Sequence, residues 1–396
     1  MKRVLLAYSG GLDTSFLVAW LAHHEGYAVS AVTVDCGGQS SGEQEEMRAR
    51  ALALGATEFR ALDARGELYD RVLRWLVAGN VRRGGVYPLS VGAERGIQAQ
   101  LLAELAQAEG FDALAHGCTA AGNDQVRFEA ALAVLSPDLD VLAPVRDQGL
   151  SRQDEVAYLE ERGAPVPPAG GRYSINAGLW GLTIGGGEML ETSDPLPEEA
   201  WVWTRGGGAA ATLTLEFAGG EPVALDGEHL EPVELIERLN ARGGALGVGR
   251  GYHLGDTVLG IKGRIAFEAP AAELLLLAHR ELEKLVLTED QRFWKDHLGD
   301  VYGRRLHQGL LHDPFMRDVE AFLASSQGAV EGSVQLSVEH GRAMVTGLSS
   351  PRSMLAASDA AYGERAASGS DPQAAAFLGR ILAEPARLAR VAGGES

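Results

Sequence analysis

Between the short apolar run Val4 to Tyr8 and the segment Thr14 to His24 stand Ser9, Gly10, Gly11, Leu12 and Asp13. In that second segment Phe16, Leu17, Trp20 and Leu21 recur at helical spacing, so the order is strand, glycine-rich turn, amphipathic helix. That order belongs to a sheet with crossover helices, and the pattern continues along the chain. Strands are expected at Val4 to Tyr8, Ala28 to Asp35, Phe59 to Leu62, Ala113 to Gly117 and Val141 to Val145. Helices are expected at Thr14 to His24 with Asp13 as N-cap, and at Glu43 to Leu54, Tyr69 to Leu76, Ala93 to Ala108 and Val126 to Leu135. The N-terminal part therefore reads as a doubly wound α/β domain with a parallel sheet.

The turn also carries chemistry. Two glycines let backbone amides approach an anion, the hydroxyls of Ser9, Thr14 and Ser15 add donors, and a helix N-terminus adds its positive end. Asp13 would repel a phosphate on its own, but suits a direct or water-mediated partner of Mg²⁺ on a polyphosphate. A Walker loop requires Gly-Lys, a pair absent from this chain. A nucleophile elbow around Ser9 requires glycine at position 7, where the chain has Ala7. Polyphosphate binding is the favoured reading, and a glycine-rich strand-to-helix turn without a ligand is the alternative.

After Pro165, Pro167, Pro168, Gly170 and Gly171, which suit neither a helix nor a central strand, the texture changes. Thr212 to Phe217 and Ser333 to Val338 alternate with a period of two, as half-buried antiparallel strands do, and Glu339 to Arg342 follows as a hairpin turn. Helices are expected at Ala271 to Val286 and, capped by Asp313, at Phe315 to Ala324. A last helix, Pro372 to Val391, is expected to break near Pro385. The second part is α+β, with Gly206 to Ala211 as a flexible loop.

The 35 Lys and Arg against 54 Asp and Glu leave a net charge of −19, which disfavours nucleic acid and anionic membrane as main partners. No apolar run approaches the ~18 residues needed to cross a bilayer, and the initial run stops at Ser9 before it makes a secretory signal. The two cysteines, Cys36 and Cys118, stand too far apart in sequence to suggest a zinc motif or a disulfide framework. A cytoplasmic protein with reduced thiols is the expectation.

A second polar stretch, His116 to Glu129, follows the Ala113 to Gly117 strand, at the strand end where open α/β sheets bind ligands. Thr119 and Asn123 can donate to a carboxylate, Asp124 can accept from an ammonium, and Arg127 can pair with a second carboxylate. Such a set suits amino acids. A polar loop that merely caps the next helix is the alternative.

Ser-Gly-Gly-Leu-Asp-Thr-Ser after a strand resembles the pyrophosphate-binding loop of the ATP pyrophosphatase superfamily. His116 to Glu129 further resembles the aspartate- and citrulline-binding signature of the argininosuccinate synthase family, with similarity also around Tyr87, Tyr173 to Asn176 and Gly247 to Pro270. The resemblance implies an N-terminal ATP pyrophosphatase domain over 1–165, an α+β synthetase domain over 172–365 and an oligomerisation helix over 372–391 that knits a homotetramer. It implies an AMP-forming ligase of arginine biosynthesis that joins citrulline to aspartate through citrullyl-AMP, using ATP with Mg²⁺ and no tightly bound organic cofactor. By the same resemblance Ala7, Tyr8, Ser9, Gly10, Gly11, Leu12, Asp13, Thr14, Ser15, Val34 and Gly117 contact ATP, with Asp13 the Mg²⁺ residue. Thr119, Asn123 and Asp124 form the aspartate site, and Tyr87, Asn123, Arg127, Ser174 and Thr183 contact citrulline. Asp13, Asp124 and Arg127 carry the catalytic roles, whereas Cys118 and His116 read as packing or supporting groups.

The chain departs from the family pattern around citrulline. Ser90, Val91 and Gly92 stand where most members have Gly-Thr-Ser, Gly255 where most have Glu, and Phe267 where most have Tyr. Ser90 and Asp256 are the nearby residues able to replace the lost groups. The alternatives are an enzyme acting on a modified citrulline, and a non-catalytic nucleotide or amino-acid sensor on the same scaffold. A tRNA thiolase would need a catalytic cysteine pair and a basic surface, which this sequence lacks.

Overall fold

The computed structural model describes residues 1–119, 122–168 and 171–393; Ala120 and Ala121 of the second motif, and Gly170 of the interdomain stretch, lie outside the described residues. Met1–Pro351 forms one compact unit, and a second begins at Arg352.

In the first unit, β1 (Arg3–Ala7), α1 (Leu12–His23), β2 (Ala28–Asp35), α2 (Ser41–Ala53) and β3 (Glu58–Asp63) alternate as expected. A helical run follows, α3 (Arg65–Leu68) and α4 (Arg74–Ala78) joined by a π-turn at Tyr69–Leu73. Next come α5 (Glu94–Glu109), β4 (Ala113–His116), α6 (Asp124–Leu135), β5 (Asp140–Leu142), α7 (Pro144–Asp147) and α8 (Arg152–Glu161). The five strands pair in parallel in the order β3-β2-β1-β4-β5. Val4, Leu6, Val29 and Ala31 pack with Phe16, Leu17 and Leu21 on one face, while Leu5, Val32 and Leu114 pack with Ile97 and Leu102 on the other. Burial on both faces explains why these strands read as continuous apolar runs.

Two expectations shift. Asp13 is not the N-cap: Gly11 holds that position in extended conformation, and Asp13 is the second residue of the first turn, because buried Leu12 already belongs to the helix. The last strand stops at Leu142, since Pro144 has no N–H for a ladder and opens α7 instead.

Beyond residue 171 lie β6 (Tyr173–Gly178), β7 (Gly181–Gly186), β8 (Ala211–Ala218), β9 (Glu221–Leu225), β10 (Glu228–His229), α9 (Pro232–Ala245), β11 (Arg250–Asp256) and β12 (Lys262–Glu268). α10 (Pro270–Val286), α11 (Glu289–His307), α12 (Pro314–Gln327), β13 (Gly332–Glu339) and β14 (Arg342–Ser349) complete this unit. As expected, Asp313 caps α12 through the Phe315 amide, and β13 and β14 form the hairpin. Two antiparallel sheets result, β10-β9-β8-β13-β14 and β11-β12-β7-β6. The second of these leans on the N-terminal sheet: the Leu179 amide donates to the Cys36 carbonyl at 2.7 Å, and buried Trp180 donates to the Pro88 carbonyl at 3.0 Å. These bonds fix the cleft between them.

In the second unit α13 (Pro372–Ala392) runs through Pro385 without a break. Proline removes one N–H donor, but the turns on either side keep their own ladder and the helix continues. Phe377, Leu378, Ile381, Leu382, Leu388 and Val391 are exposed along it.

Candidate active site

A cleft of about 870 Å³ opens over the C-terminal ends of β1, β2 and β4 and is walled on its far side by β6, β7, β11 and β12. At the β1 end the loop is held by its own hydroxyls. Ser9 Oγ and Thr14 Oγ1 lie 3.2 Å apart, the Gly11 amide donates to Ser9 Oγ, and Thr14 Oγ1 donates to the Gly11 carbonyl. Gly10 adopts φ +74°, and a Cβ there would meet Met47 Cγ at 2.8 Å; this conformation turns its carbonyl toward Arg50, which donates to it at 2.7 Å. The carbonyl thus points away from the cleft, and the amides of the first turn of α1 remain without intrahelical partners, as an anion site requires.

Ala7, Tyr8, Ser9, Gly11, Asp13, Thr14, Val34 and Gly117 line this end. Gly10, Leu12 and Ser15 do not. Leu12 packs in the core, and the Ser15 hydroxyl is buried 3.4 Å from that of Tyr8, so these side chains support the loop rather than face a ligand.

The middle of the cleft is a chain of charges. Asp124, in the first turn of α6, takes Arg95 Nε at 2.9 Å and Arg127 Nη1 at 3.0 Å. Burial pushes the Asp124 carboxyl up, and the two guanidiniums more than reverse this, holding it below the ordinary carboxylate range. Its side chain is still 38% exposed against 7% for Arg127, so Asp124 is the one of the pair that a ligand in the cleft can reach. Arg127 is fixed further by the His307 carbonyl and by His307 Nδ1, each at 3.0 Å. Asn123 Oδ1 accepts from the Val258 amide, which leaves the Asn123 NH₂ available, and Thr119 is exposed. Neither Asn123 nor Asp124 caps α6 with its side chain, so the capping alternative does not hold.

At the far wall Tyr87 is buried between His253, stacked at 5.5 Å, and Phe267 at 5.2 Å. Thr183 faces Phe267 across β7 and β12, and Ser174 lies exposed on β6. Ser90 does not replace the missing hydroxyl: it is fully buried and donates to Tyr87 Oη at 3.3 Å. Asp256 sits at the rim but gives its carboxylate to Lys262 at 2.5 Å. Burial pushes the Cys118 thiol to about 12, which removes it as a nucleophile at neutral pH, and His116 is buried with its Nδ1 accepting from the Cys118 amide.

Several residues here escaped the sequence reading. Arg95 on α5 and Arg83, His253 and His307 line the cleft without belonging to either motif. Glu94 lines it too, and buried Glu155 on α8 faces Asp13. Desolvation raises both glutamates to about 8, with the Asp13 charge adding to the effect at Glu155.

This pair makes a prediction. Each is protonated in the folded protein and ionised in the unfolded chain between about pH 4.5 and 8, so the folded state binds more protons and stability must fall as pH rises through that window. The slope is at most about 1.4 kcal/mol per pH unit for each group. Glu94→Gln with Glu155→Gln is expected to flatten the decline of the unfolding midpoint between pH 5 and 8; an unchanged slope would show that these carboxyls are not held neutral.

No group of three or more His, Cys, Asp or Glu suited to holding a metal occurs among the described residues. Asp13, beside the buried Glu155 carboxyl, instead fits a cation that takes its remaining ligands from phosphate.

A glycine- and hydroxyl-rich loop at the head of a parallel 3-2-1-4-5 sheet, facing an amino-acid-like set of groups across one cleft, defines a nucleotide-binding enzyme of the HUP-domain class. Residues 3–165 match the family model of the arginosuccinate synthase N-terminal HUP domain, and residues 173–380 match that of its C-terminal domain. The argininosuccinate synthase of Methanocaldococcus jannaschii is 39% identical over 370 residues, covering 92% of this chain and 93% of the relative. Those of Symbiobacterium thermophilum and Natronomonas pharaonis are 40% and 41% identical, covering 91% of this chain in each case and 91% and 90% of the relatives. The chain belongs to the argininosuccinate synthase family.

Proposed function

We infer that this chain is an ATP-dependent carbon–nitrogen ligase that condenses citrulline with aspartate, giving argininosuccinate, AMP and pyrophosphate. The observation that carries this reading is the cleft itself, in which the anion-binding loop of β1 and the Asp124–Arg127 cluster face one space. The ureido oxygen of citrulline attacks the α-phosphorus of ATP, and the bond to pyrophosphate breaks. The aspartate amine then attacks the ureido carbon, and AMP leaves. A ureido oxygen is a weak nucleophile and its carbon a weak electrophile, so alignment and charge neutralisation are the protein's main tasks.

Within this reading the amides and hydroxyls from Ser9 to Thr14 take the phosphates. Asp13 would hold Mg²⁺, which would supply charge neutralisation for the polyphosphate. Thr119, Asn123 and Asp124 orient aspartate, while Arg127, Tyr87, Ser174 and Thr183 receive citrulline. The functional division at 1–165, 172–365 and 372–391, a homotetramer knit through the exposed apolar face of α13, and a cytoplasmic location without nucleic-acid partners or a resident organic cofactor complete the proposal. No helix among the described residues is long and apolar enough to cross a membrane.

The test is mass spectrometry of the products from purified protein with ATP, Mg²⁺, aspartate and citrulline, each omitted in turn. Argininosuccinate and AMP are expected only when all substrates are present. ATP binding without any AMP formation would favour a sensor.

A further inference from the structure

The wall of the cleft beyond Arg127 is built from cations and neutral donors. Arg83 Nη1 and Arg127 Nη2 lie 3.2 and 3.0 Å from the same atom, His307 Nδ1. That nitrogen must accept, so the ring is neutral and its proton is on Nε2, which is buried and directed at the Asp256 backbone. Burial and the two guanidiniums lower the His307 imidazole to about 3 and keep it neutral throughout the physiological range. His253, 7% exposed, brings a second buried and unpartnered Nε2 to the same wall. Position 255 makes this possible: a Cβ there would stand 2.5 Å from His253 Nε2, so glycine is what allows the imidazole to occupy the space.

A second amino acid bound here by its carboxylate also brings an α-ammonium, and among the described residues no carboxylate of the cleft without a partner or a role of its own remains to meet it. Five acidic residues line the cleft among the described residues. Asp13 belongs to the phosphate loop. Asp35 is tied to the Gly37 and Gly38 amides and to Gln44. Asp124, bonded to Arg95 and Arg127, gives its exposed remainder to the ammonium of the other amino acid, aspartate; Asp256 is paired with Lys262, and Glu94 is buried beside Arg95. An ammonium desolvated against Arg83 and Arg127 is disfavoured by both burial and like charge. An amide in its place removes that charge, and its carbonyl oxygen can accept from His253 when that ring carries its proton on Nε2.

We propose that the Arg83–His307–Arg127 cluster with His253 forms a subsite for an anionic end group, and that the enzyme adenylates ureido acids whose α-amine is acylated at least as well as it adenylates free citrulline. The proposal rests on the ureido-adenylation reading above. The reaction is unchanged: the ureido oxygen still displaces pyrophosphate from ATP, and the aspartate amine still displaces AMP.

The experiment compares kcat/KM for aspartate-dependent AMP formation with citrulline and with Nα-acetylcitrulline on the full-length enzyme. A ratio in favour of the acetylated substrate of about tenfold is expected, the cost of leaving one charge unmet. A ratio below one overturns the proposal while leaving the ligase reading intact. Failure of both substrates to yield AMP overturns the reading and the proposal together. His253→Glu, which supplies the missing carboxylate, is expected to move the ratio toward citrulline by a similar factor; if that variant turns over both substrates with the wild-type ratio, His253 is not part of the subsite. Should the variant fail to fold, the wild-type ratio alone decides.

Discussion

Asp13→Asn is expected to lower the rate of citrulline-dependent pyrophosphate release by about a hundredfold or more, the usual loss when a charge-stabilising group is removed from a developing transition state. The same variant is expected to keep or raise the unfolding midpoint above pH 7. Asp13 stands beside buried Glu155, and its negative charge helps keep that carboxyl protonated. Neutralising Asp13 removes the charge that raises Glu155, so less stability is lost as Glu155 ionises, at the cost of one favourable acidic residue in the first turn of α1, worth about 0.3–1 kcal/mol. Activity and stability should therefore separate, which distinguishes a metal and phosphate role from a merely structural one. Turnover at the wild-type rate, measured with saturating ATP and Mg²⁺, would remove Asp13 from the phosphate site.

How far the molecule could be read before folding depends on how local each signal is. The β1 loop was legible because a strand, two glycines, three hydroxyls and a helix occur within fifteen residues of the N-terminus, each dictated by backbone geometry. Within it, the separation of Ser9 and Thr14, which face the cleft, from Leu12 and Ser15, which do not, was not legible. It follows from where α1 begins, and a helix boundary is the least determined feature of a hydrophobic pattern. The Arg83–His307–Arg127 cluster was invisible for a different reason. Arg83 precedes Tyr87 in an irregular loop, while His307 ends α11, 224 positions later, and only tertiary packing brings them to one nitrogen. Glu155 was equally silent, one acid among several on an amphipathic helix, until α8 packed against α1 and buried it. Gly255 had registered as a departure from the family pattern, but its consequence, room for the ring of His253, needed coordinates.

Asp124→Asn is the sharper test of how the two amino acids are kept apart. The carboxylate offers about four lone-pair positions, and Arg95 and Arg127 take one each, so the exposed remainder can accept from the aspartate ammonium. Loss of a charge-assisted bond of this kind costs about 1.5–3 kcal/mol, which corresponds to roughly ten- to hundredfold in apparent affinity. The KM for aspartate is therefore expected to rise by about that factor. Citrulline should be affected far less, even though Asp124 also touches Arg127, because Arg127 is anchored independently by the carbonyl and Nδ1 of His307 and keeps its position when the carboxylate is neutralised. Arg95 keeps one other hydrogen bond, to Gln98 Oε1 at 3.0 Å, and a contact with Glu94 at 3.8 Å, against two hydrogen bonds for Arg127, so local loosening should appear there first. Steady-state kinetics with each amino acid varied in turn reads both effects. Equal increases in the two KM values would mean that Asp124 serves only to organise the arginines, and the aspartate ammonium would then have to be sought against Thr119 and Asn123.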